Sequence, residues 1–451
     1  MKKIVYFITL CLSAWSLTLQ AQNIHMHFPH FAGKSYDFII FQGDKQKTVV
    51  QGTIPEDGKF SLTIPKEYAP YTGMSRWLIT NSQEGGGLDM VIPGKDFSVS
   101  CLEKQPNDIN ITYQGNDQIN ELNDLYKKQQ LILMRHESML QATKAFSKED
   151  KSYTLFEEKY KEQISFYKKF QDRLSKNSDY AQKFLQIVNL TQGLGTQLED
   201  TEEKKARNIA QYMTQQMDWN ALYTSGHWTN IISSWVSIHT QVLNNPFQFV
   251  EDFAKISRLI LDKNRYADFA GRTAYFLNEQ GKDTYINAIA PLVISSGKIT
   301  SYEGSLALYQ KGTVGQIAPD LIVKDSTNSS TVISLKDYPT QKNYDKTLLL
   351  FYASGCGPCE NLLQQMPMYY SQIQSKGIHM ISISADKDEG VFKEKAKDFK
   401  WKDVYCDYKG IQGENFKNYA VSGTPTLILI DNKGKIELRT AEIKEILDFI
   451  K

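Results

Sequence analysis

The sequence predicts a multidomain chain that changes fold class twice: an antiparallel β-sandwich over residues 22–113, an all-α helical domain over 114–312 and an α/β domain over 313–451. Three observations carry this reading. Short apolar runs broken by turn residues fill the first part. Apolar residues three and four apart fill the second. In the last part strand-like and helix-like segments alternate around a Cys-x-x-Cys pair. A length of 451 residues suits about three domains, and 41% hydrophobic with 12% aromatic content is ample for packed cores.

The chain opens Met1-Lys2-Lys3, then runs apolar from Ile4 to Leu19 and on to Gln20-Ala21-Gln22. A basic start, an apolar centre and a small residue before the cut read as an export signal over 1–21, cleaved after Ala21. Lipidation at Cys11 is disfavoured, because Leu10 stands where a small residue should precede the modified cysteine. No later stretch has the ~18–20 uninterrupted apolar residues of a membrane span. The expected location is therefore the periplasm or cell envelope, where disulfides are permitted. Only Cys101, Cys356, Cys359 and Cys406 remain after cleavage, too few to staple a chain this long. With 52 basic and 51 acidic residues the net charge is +1, so no field gathers nucleic acid or anionic lipid, and no nucleic-acid partner is expected.

In the first domain strands are expected from Tyr36 to Phe41, Lys47 to Ile54, Lys59 to Ile64, Arg76 to Thr80 and Asp96 to Cys101. Pro55-Glu56-Asp57-Gly58, Glu84-Gly85-Gly86-Gly87 and Pro93-Gly94-Lys95 supply turns. His25 and His27 share one face of a strand near His30. Two such imidazoles suit copper or zinc, but surface histidines on an edge strand are the commoner case, and no metal is expected.

From Asn116 the period changes. Tyr153, Phe156, Tyr160, Ile164, Tyr167, Phe170 and Leu174 line one face of a long helix, a stripe that reads as core rather than ligand site. Ile119, Leu122, Tyr126, Leu133 and Leu140 sketch an earlier helix, Lys204 to Asp218 a later one, and helical character persists to about Tyr309.

After Val314 the expected order is a hairpin from Leu321 to Val323 and Thr331 to Leu335 across a loop from Asp325 to Ser330, and a strand from Leu348 to Tyr352. A helix through Tyr370, a strand from Ile378 to Ser384, a helix from Glu389 to Lys400 and a strand from Val404 to Asp407 follow. The chain then forms a helix from Glu414 to Tyr419, strands from Thr426 to Ile430 and Lys435 to Arg439 around Asp431-Asn432-Lys433-Gly434, and a last helix from Ala441. Cys356-Gly357-Pro358-Cys359 falls between the strand and the first helix. Two thiols on a helical first turn close a disulfide without refolding, and the helix dipole favours a thiolate on the first. Zinc needs a second ligand pair, and Cys101 and Cys406 are isolated. A structural staple is the remaining alternative to redox chemistry.

The span from about Val314 to Lys451 resembles the TlpA/ResA-like branch of the thioredoxin superfamily. The likeness rests on Gly315-Gln316-Ile317-Ala318-Pro319-Asp320, the hairpin, Phe351-Tyr352-Ala353-Ser354-Gly355 leading into the dithiol, and Gly423-Thr424-Pro425-Thr426 before a strand. It implies a thioredoxin-like mixed sheet flanked by helices, with 389–407 as the branch's insertion. The first third is similar to a β-rich domain found ahead of such modules, and the middle to an all-helical segment of related oxidoreductases. Neither likeness brings chemistry.

The resemblance implies Cys356 as nucleophile and Cys359 as resolving thiol, with Tyr352, Gly357, Pro358, Thr424 and Pro425 around the substrate. It also implies a cis Pro425, with the residue after the Thr-Pro step turning its backbone to the dithiol. The chain departs from the family where thiols are tuned. Leu350 stands where thioredoxin buries an Asp, Leu362 where ResA-like proteins carry a Glu, Gly355 where a Trp is frequent and Glu360 where a basic residue is common. Deprotonation of Cys359 is then left to water or to a carboxylate such as Asp386, which otherwise reads as a solvated loop residue. Glu360 is expected to oppose the helix dipole at Cys356, and Gly355 to leave the mouth open.

The expected function is an exported thiol-disulfide oxidoreductase. It would act on protein disulfide or dithiol substrates and be recharged by a membrane-bound thiol donor, with no cofactor. Gly-Pro between the cysteines resembles reducing thioredoxins at about −270 mV rather than oxidants at about −120 mV, so reduction is favoured. Two other readings compete: an envelope binding or assembly protein whose dithiol is structural, and a thiol peroxidase. The peroxidase expects a Thr where Ala353 stands. Cys406 reads as an unpaired, partly buried thiol, with trapping of oxidised forms or pairing to Cys101 the alternatives.

Overall fold

Period-2 alternation and period-3.6 stripes hand over to one another between Gln114 and Gln118, and again after Tyr309. The computed structural model describes residues 21–81, 85–310, 312, 314–324, 330–336 and 344–451. Residues 1–20 of the export signal expected over 1–21, Cys11 among them, Glu84, and residues 325–329 of the loop expected from Asp325 to Ser330 lie outside the described residues.

Eight strands come first: β1 (Gln22–His27), β2 (Ser35–Gln42), β3 (Lys45–Thr53), β4 (Lys59–Ile64), β5 (Thr72–Thr80), β6 (Gly87–Pro93), β7 (Phe97–Ser100) and β8 (Thr112–Gln114). They form two four-stranded sheets, ordered β4-β1-β7-β8 and β3-β2-β5-β6. Ile24, Met26, Phe38, Ile40, Leu62, Trp77, Ile92 and Val99 share one apolar core. One pair departs from the antiparallel expectation. β1 lies parallel to β7, which their separation in sequence permits because the intervening strands supply the crossover. β1 is thus flanked on both sides and is no edge strand. His25 is exposed on it and its Nδ1 lies 3.0 Å from Ser61 Oγ.

The helices are α1 (Gln118–Ala145), α2 (Tyr153–Leu174), α3 (Tyr180–Thr191), α4 (Glu202–Gln215), α5 (Trp219–Tyr223), α6 (Trp228–Ser237), α7 (Pro246–Leu259), α8 (Lys263–Glu279) and α9 (Asp283–Ser295). A π-helix over Ile238–Leu243 continues α6, and a 3-10 turn spans Gly304–Tyr309. The aromatic stripe of α2 faces inward as expected, with Tyr167, Phe170 and Leu174 buried. No helix among the described residues is long and apolar enough to cross a membrane.

The chain divides into two compact units. The first takes the described residues up to Gln163 with Arg173–Leu185 and Ala221–Gly226. The second takes Ile164–Asp172, Gln186–Asn220 and His227–Lys451. Within the second unit the C-terminal part is thioredoxin-like: a hairpin β9 (Leu321–Lys324) and β10 (Ser330–Ile333), then β11 (Lys346–Tyr352), α10 (Gly357–Ser375), β12 (Ile378–Ser384), α11 (Glu389–Ala396), β13 (Asp403–Cys406), α12 (Glu414–Asn418), β14 (Thr426–Asp431), β15 (Ile436–Thr440) and α13 (Ile443–Phe449). The sheet order is β13-β12-β11-β14-β15, with β11, β12 and β13 parallel and the last two strands antiparallel. Alternation along central β11 splits its side chains between two cores. Leu349 and Phe351 join Leu321, Ile428 and Phe416, while Leu348, Leu350 and Tyr352 join Cys359, Met366 and Ile446.

Candidate active site

The dithiol sits where the parallel strand β11 ends and α10 begins. Cys356 is the N-cap of α10 and keeps an extended backbone, and Pro358 occupies the first turn, where its missing N–H breaks no helical bond. Cys356 is partly exposed, Gly357 and Pro358 are exposed, and Cys359 is fully buried. The two Sγ atoms lie 2.8 Å apart as free thiols. Burial, reinforced by the bond to Cys356, pushes the Cys359 thiol up to about 11. Leu350 and Leu362 contribute to the apolar cluster that encloses it. Positions 350 and 362, where the resemblance leads to the expectation of a proton acceptor, are therefore desolvating walls.

Facing the dithiol is the loop before β14. The Thr424–Pro425 bond is cis, and the Thr424 carbonyl accepts from Cys356 Sγ at 3.4 Å. The residue whose backbone meets the dithiol is thus the one before the proline. This corrects the expectation placed on the residue after it: Thr426 is buried and turns its hydroxyl to the Gly423 carbonyl at 2.9 Å. Pro425 is partly exposed beside Thr424. Tyr352 also needs correction as a substrate contact. As the last residue of β11 it points into the core, fully buried, its ring centroid 5.4 Å from that of Phe399.

Two side chains shape the approach to Cys356. Asp386, just past β12, is buried and no solvated loop residue. Its Oδ1 accepts from the Ser354 N–H at 2.8 Å and its Oδ2 from the Ser354 hydroxyl at 2.7 Å. It holds the chain two residues before Cys356, with both carboxylate oxygens turned to Ser354 rather than to Cys359. Glu360 accepts from the Gly355 N–H at 2.9 Å and pairs with Lys395 of α11 at 2.7 Å. Those two donors hold its carboxyl below the usual range. The expected opposition of Glu360 to the helix dipole is therefore countered by an adjacent ammonium. Gly355 adopts φ +75°, and a Cβ there would meet nothing within 4 Å. The left-handed backbone favours glycine, and the mouth is open.

Cys406 closes β13, donates to the Asp386 carbonyl at 3.2 Å and accepts from the Tyr408 N–H at 3.4 Å, and burial pushes its thiol up to about 11. Cys101 is buried in the first unit's core, 3.4 Å from Asn110 Oδ1. Both are free thiols. Among the described residues no group of histidine, cysteine and carboxylate side chains has metal-site geometry.

A further set of residues escaped the sequence reading. The turn joining α8 to α9 meets the loop that carries Thr424. Asn278 Nδ2 donates to Ser422 Oγ at 3.1 Å. Asp283 Oδ2 lies 3.3 Å from Nε of Arg439, which itself donates to the Tyr419 carbonyl at 2.5 Å and the Ala420 carbonyl at 3.0 Å. Both charges are buried. Ser354 at least stood inside the Phe351-to-Gly355 run that leads into the dithiol. Asn278, Asp283, Lys395 and Arg439 carried no local signal, because each acts on a distant segment.

The AhpC/TSA family profile matches residues 314–439. "Thiol-disulfide oxidoreductase ResA" of Bacillus cereus is 30% identical over 171 residues, covering 37% of this chain and 94% of that protein. The ResA of Bacillus thuringiensis gives the same identity and coverage. Among solved structures, a putative thiol:disulfide interchange protein DsbE from Chlorobium tepidum is 25% identical and covers 30% of this chain and 94% of that one, with a TM-score of 0.25. A thioredoxin-like protein from Bacteroides caccae is 19% identical and covers 56% and 94%, with a TM-score of 0.38.

Proposed function

This chain belongs to the ResA-like thiol-disulfide oxidoreductases, and we propose that it is an exported reductase of protein disulfides working through Cys356 and Cys359. One observation carries the assignment of roles: a partly exposed Cys356 at a helix N-terminus, with the Thr424 carbonyl 3.4 Å in front and a buried Cys359 behind.

The Cys356 thiolate attacks one sulfur of the substrate disulfide. That S–S bond breaks, a mixed disulfide forms, and the released substrate sulfur takes up a proton. An extended substrate segment lies along the backbone at Thr424 and Pro425, over Gly357 and Pro358. Cys359 then loses its proton and attacks Cys356 Sγ, freeing the second substrate thiol and leaving Cys356 and Cys359 joined. Two electrons and two protons have passed to the substrate, and a membrane-bound thiol donor returns them. Because burial raises the Cys359 thiol above its ordinary value, this resolving step needs a group, water or substrate, that takes its proton. The two N-terminal sheets are read as a β-sandwich, and 22–113, 114–312 and 313–451 as three domains behind a leader that directs the chain to the envelope.

Cys356→Ser is expected to abolish insulin reduction, and retained turnover would overturn the assignment. A dithiol potential near about −270 mV supports the reductive direction. A pair that stays oxidised at poises below about −300 mV points instead to a staple.

A further inference from the structure

A cavity of about 550 Å³ opens beside the Thr424 loop, within the second unit. One wall is the 3-10 turn with Tyr302 and Ala307, and the other is formed by Ile411, Phe416, Val421 and Ser422. The volume lies within the range of about 300–1,000 Å³ usual for ligand sites. Phe416, Val421 and Ala307 form an apolar floor, and Ile411 leaves 48% of its surface exposed at the opening. Glu303 and Lys417 give it a polar rim.

Position decides what such a site is for. Ser422 lines the cavity, and two residues later the Thr424 carbonyl touches Cys356 Sγ. An extended chain covers at most about 7 Å in two residues. A polypeptide bonded through its cysteine to Cys356, and running along this loop, brings a side chain two or three residues away to the opening. The two walls come from separate stretches of sequence and are both anchored on α8: Ser422 through its hydrogen bond from Asn278, and the 3-10 turn through the Tyr309 hydroxyl, which donates to the Ala270 carbonyl at 2.8 Å. The cavity is therefore formed before a substrate arrives.

We propose that this cavity is a subsite for one large apolar side chain, aliphatic or aromatic, on the substrate segment flanking the reactive cysteine. The helical part of the second unit thereby selects which disulfides are presented to the dithiol. The proposal rests on the reductase reading, and binding is used to test it because binding needs no electron transfer.

The probes are short peptides with Ser in place of the reactive cysteine and either Leu, Phe or Ser two and three residues away. Their affinity for the full chain is measured by fluorescence anisotropy. The Leu and Phe peptides are expected to bind at least about tenfold more tightly than the Ser peptide, in keeping with apolar-pocket discrimination. Ile411→Asp, at an exposed position that tolerates substitution, should remove that difference, and Tyr302→Ser should reduce it from the opposite wall. Thermal unfolding verifies that both variants fold. Equal affinity for all three peptides, or a preference that survives both variants, overturns the subsite. Turnover of hydroxyethyl disulfide by the unaltered protein is read separately. Its absence with the peptide preference intact would sink the reductase and leave the subsite standing as a binding site.

Discussion

Asp386 commits both carboxylate oxygens to Ser354, which makes it a positioning residue for the nucleophile's loop. Hydrogen bonds to a charged acceptor are worth about 1.5–3 kcal/mol each. Asp386→Ala should therefore lower the insulin-reduction rate about tenfold and lower the Tm. A lower Tm with an unchanged rate would confine Asp386 to stability. What was legible at this scale was chemistry carried by neighbours in sequence. Cys356, Cys359 and the Thr424-Pro425 step each announce themselves within a few residues. Ser354 and Asp386 stand 32 positions apart and Glu360 and Lys395 stand 35 apart, so neither pairing has a local pattern. Glu360 read alone was a charge opposing the dipole, and only the fold supplies the ammonium that offsets it.

The π-helix after α6 buries His239 completely, with neither ring nitrogen hydrogen-bonded, between Trp235 and Phe249. Burial lowers its affinity for a proton, to a pKa of about 4 from 6.5. Asp252 of α7 lies 3.5 Å away but is also engaged by Lys255 and Gln248. The folded state resists protonation that the unfolded chain accepts. Stability is thus full above pH 6.5 and falls as pH drops toward 4, by roughly 3 kcal/mol at 1.36 kcal/mol per pH unit. Urea unfolding between pH 7 and 4 should show that loss, and His239→Phe should flatten it. A slope that persists in the variant would place the acid sensitivity elsewhere. The sequence showed long α2 clearly because its stripe has one buried face. It blurred α6 through α9 into a continuous helical stretch, because a helix such as α6 buries Trp228, Ile231, Ile232, Trp235 and Val236 and has little polar face to mark its turns. Strand β6 was missed for a different reason: Gly85-Gly86-Gly87 read as turn, though Gly87 already belongs to the strand.

Across the whole molecule, fold class was legible from the change of periodicity, and the C-terminal architecture from its motif order. The joining of helical and thioredoxin-like parts was not, since it depends on Asp283 and Arg439, two charges that look solvated in sequence. Burial pushes the Asp283 carboxyl up to about 6 against the pull of Arg439. Removing one partner strands the other charge, at a cost of about 3–5 kcal/mol, whereas replacing both with apolar residues is often neutral. Asp283→Ala should accordingly lower stability in denaturant titration, and Arg439→Met should cost less in the Asp283→Ala background than in the unaltered chain, where it also strands the carboxylate. Losses that simply add in the double variant would deny the coupling. That pair also bears on inheritance. A recombination event that replaced the last third of the gene with a relative's, without a basic residue at 439, would leave Asp283 buried and uncompensated. A chimera built that way would therefore be expected to need a basic residue restored at 439 before its two parts pack as they do here.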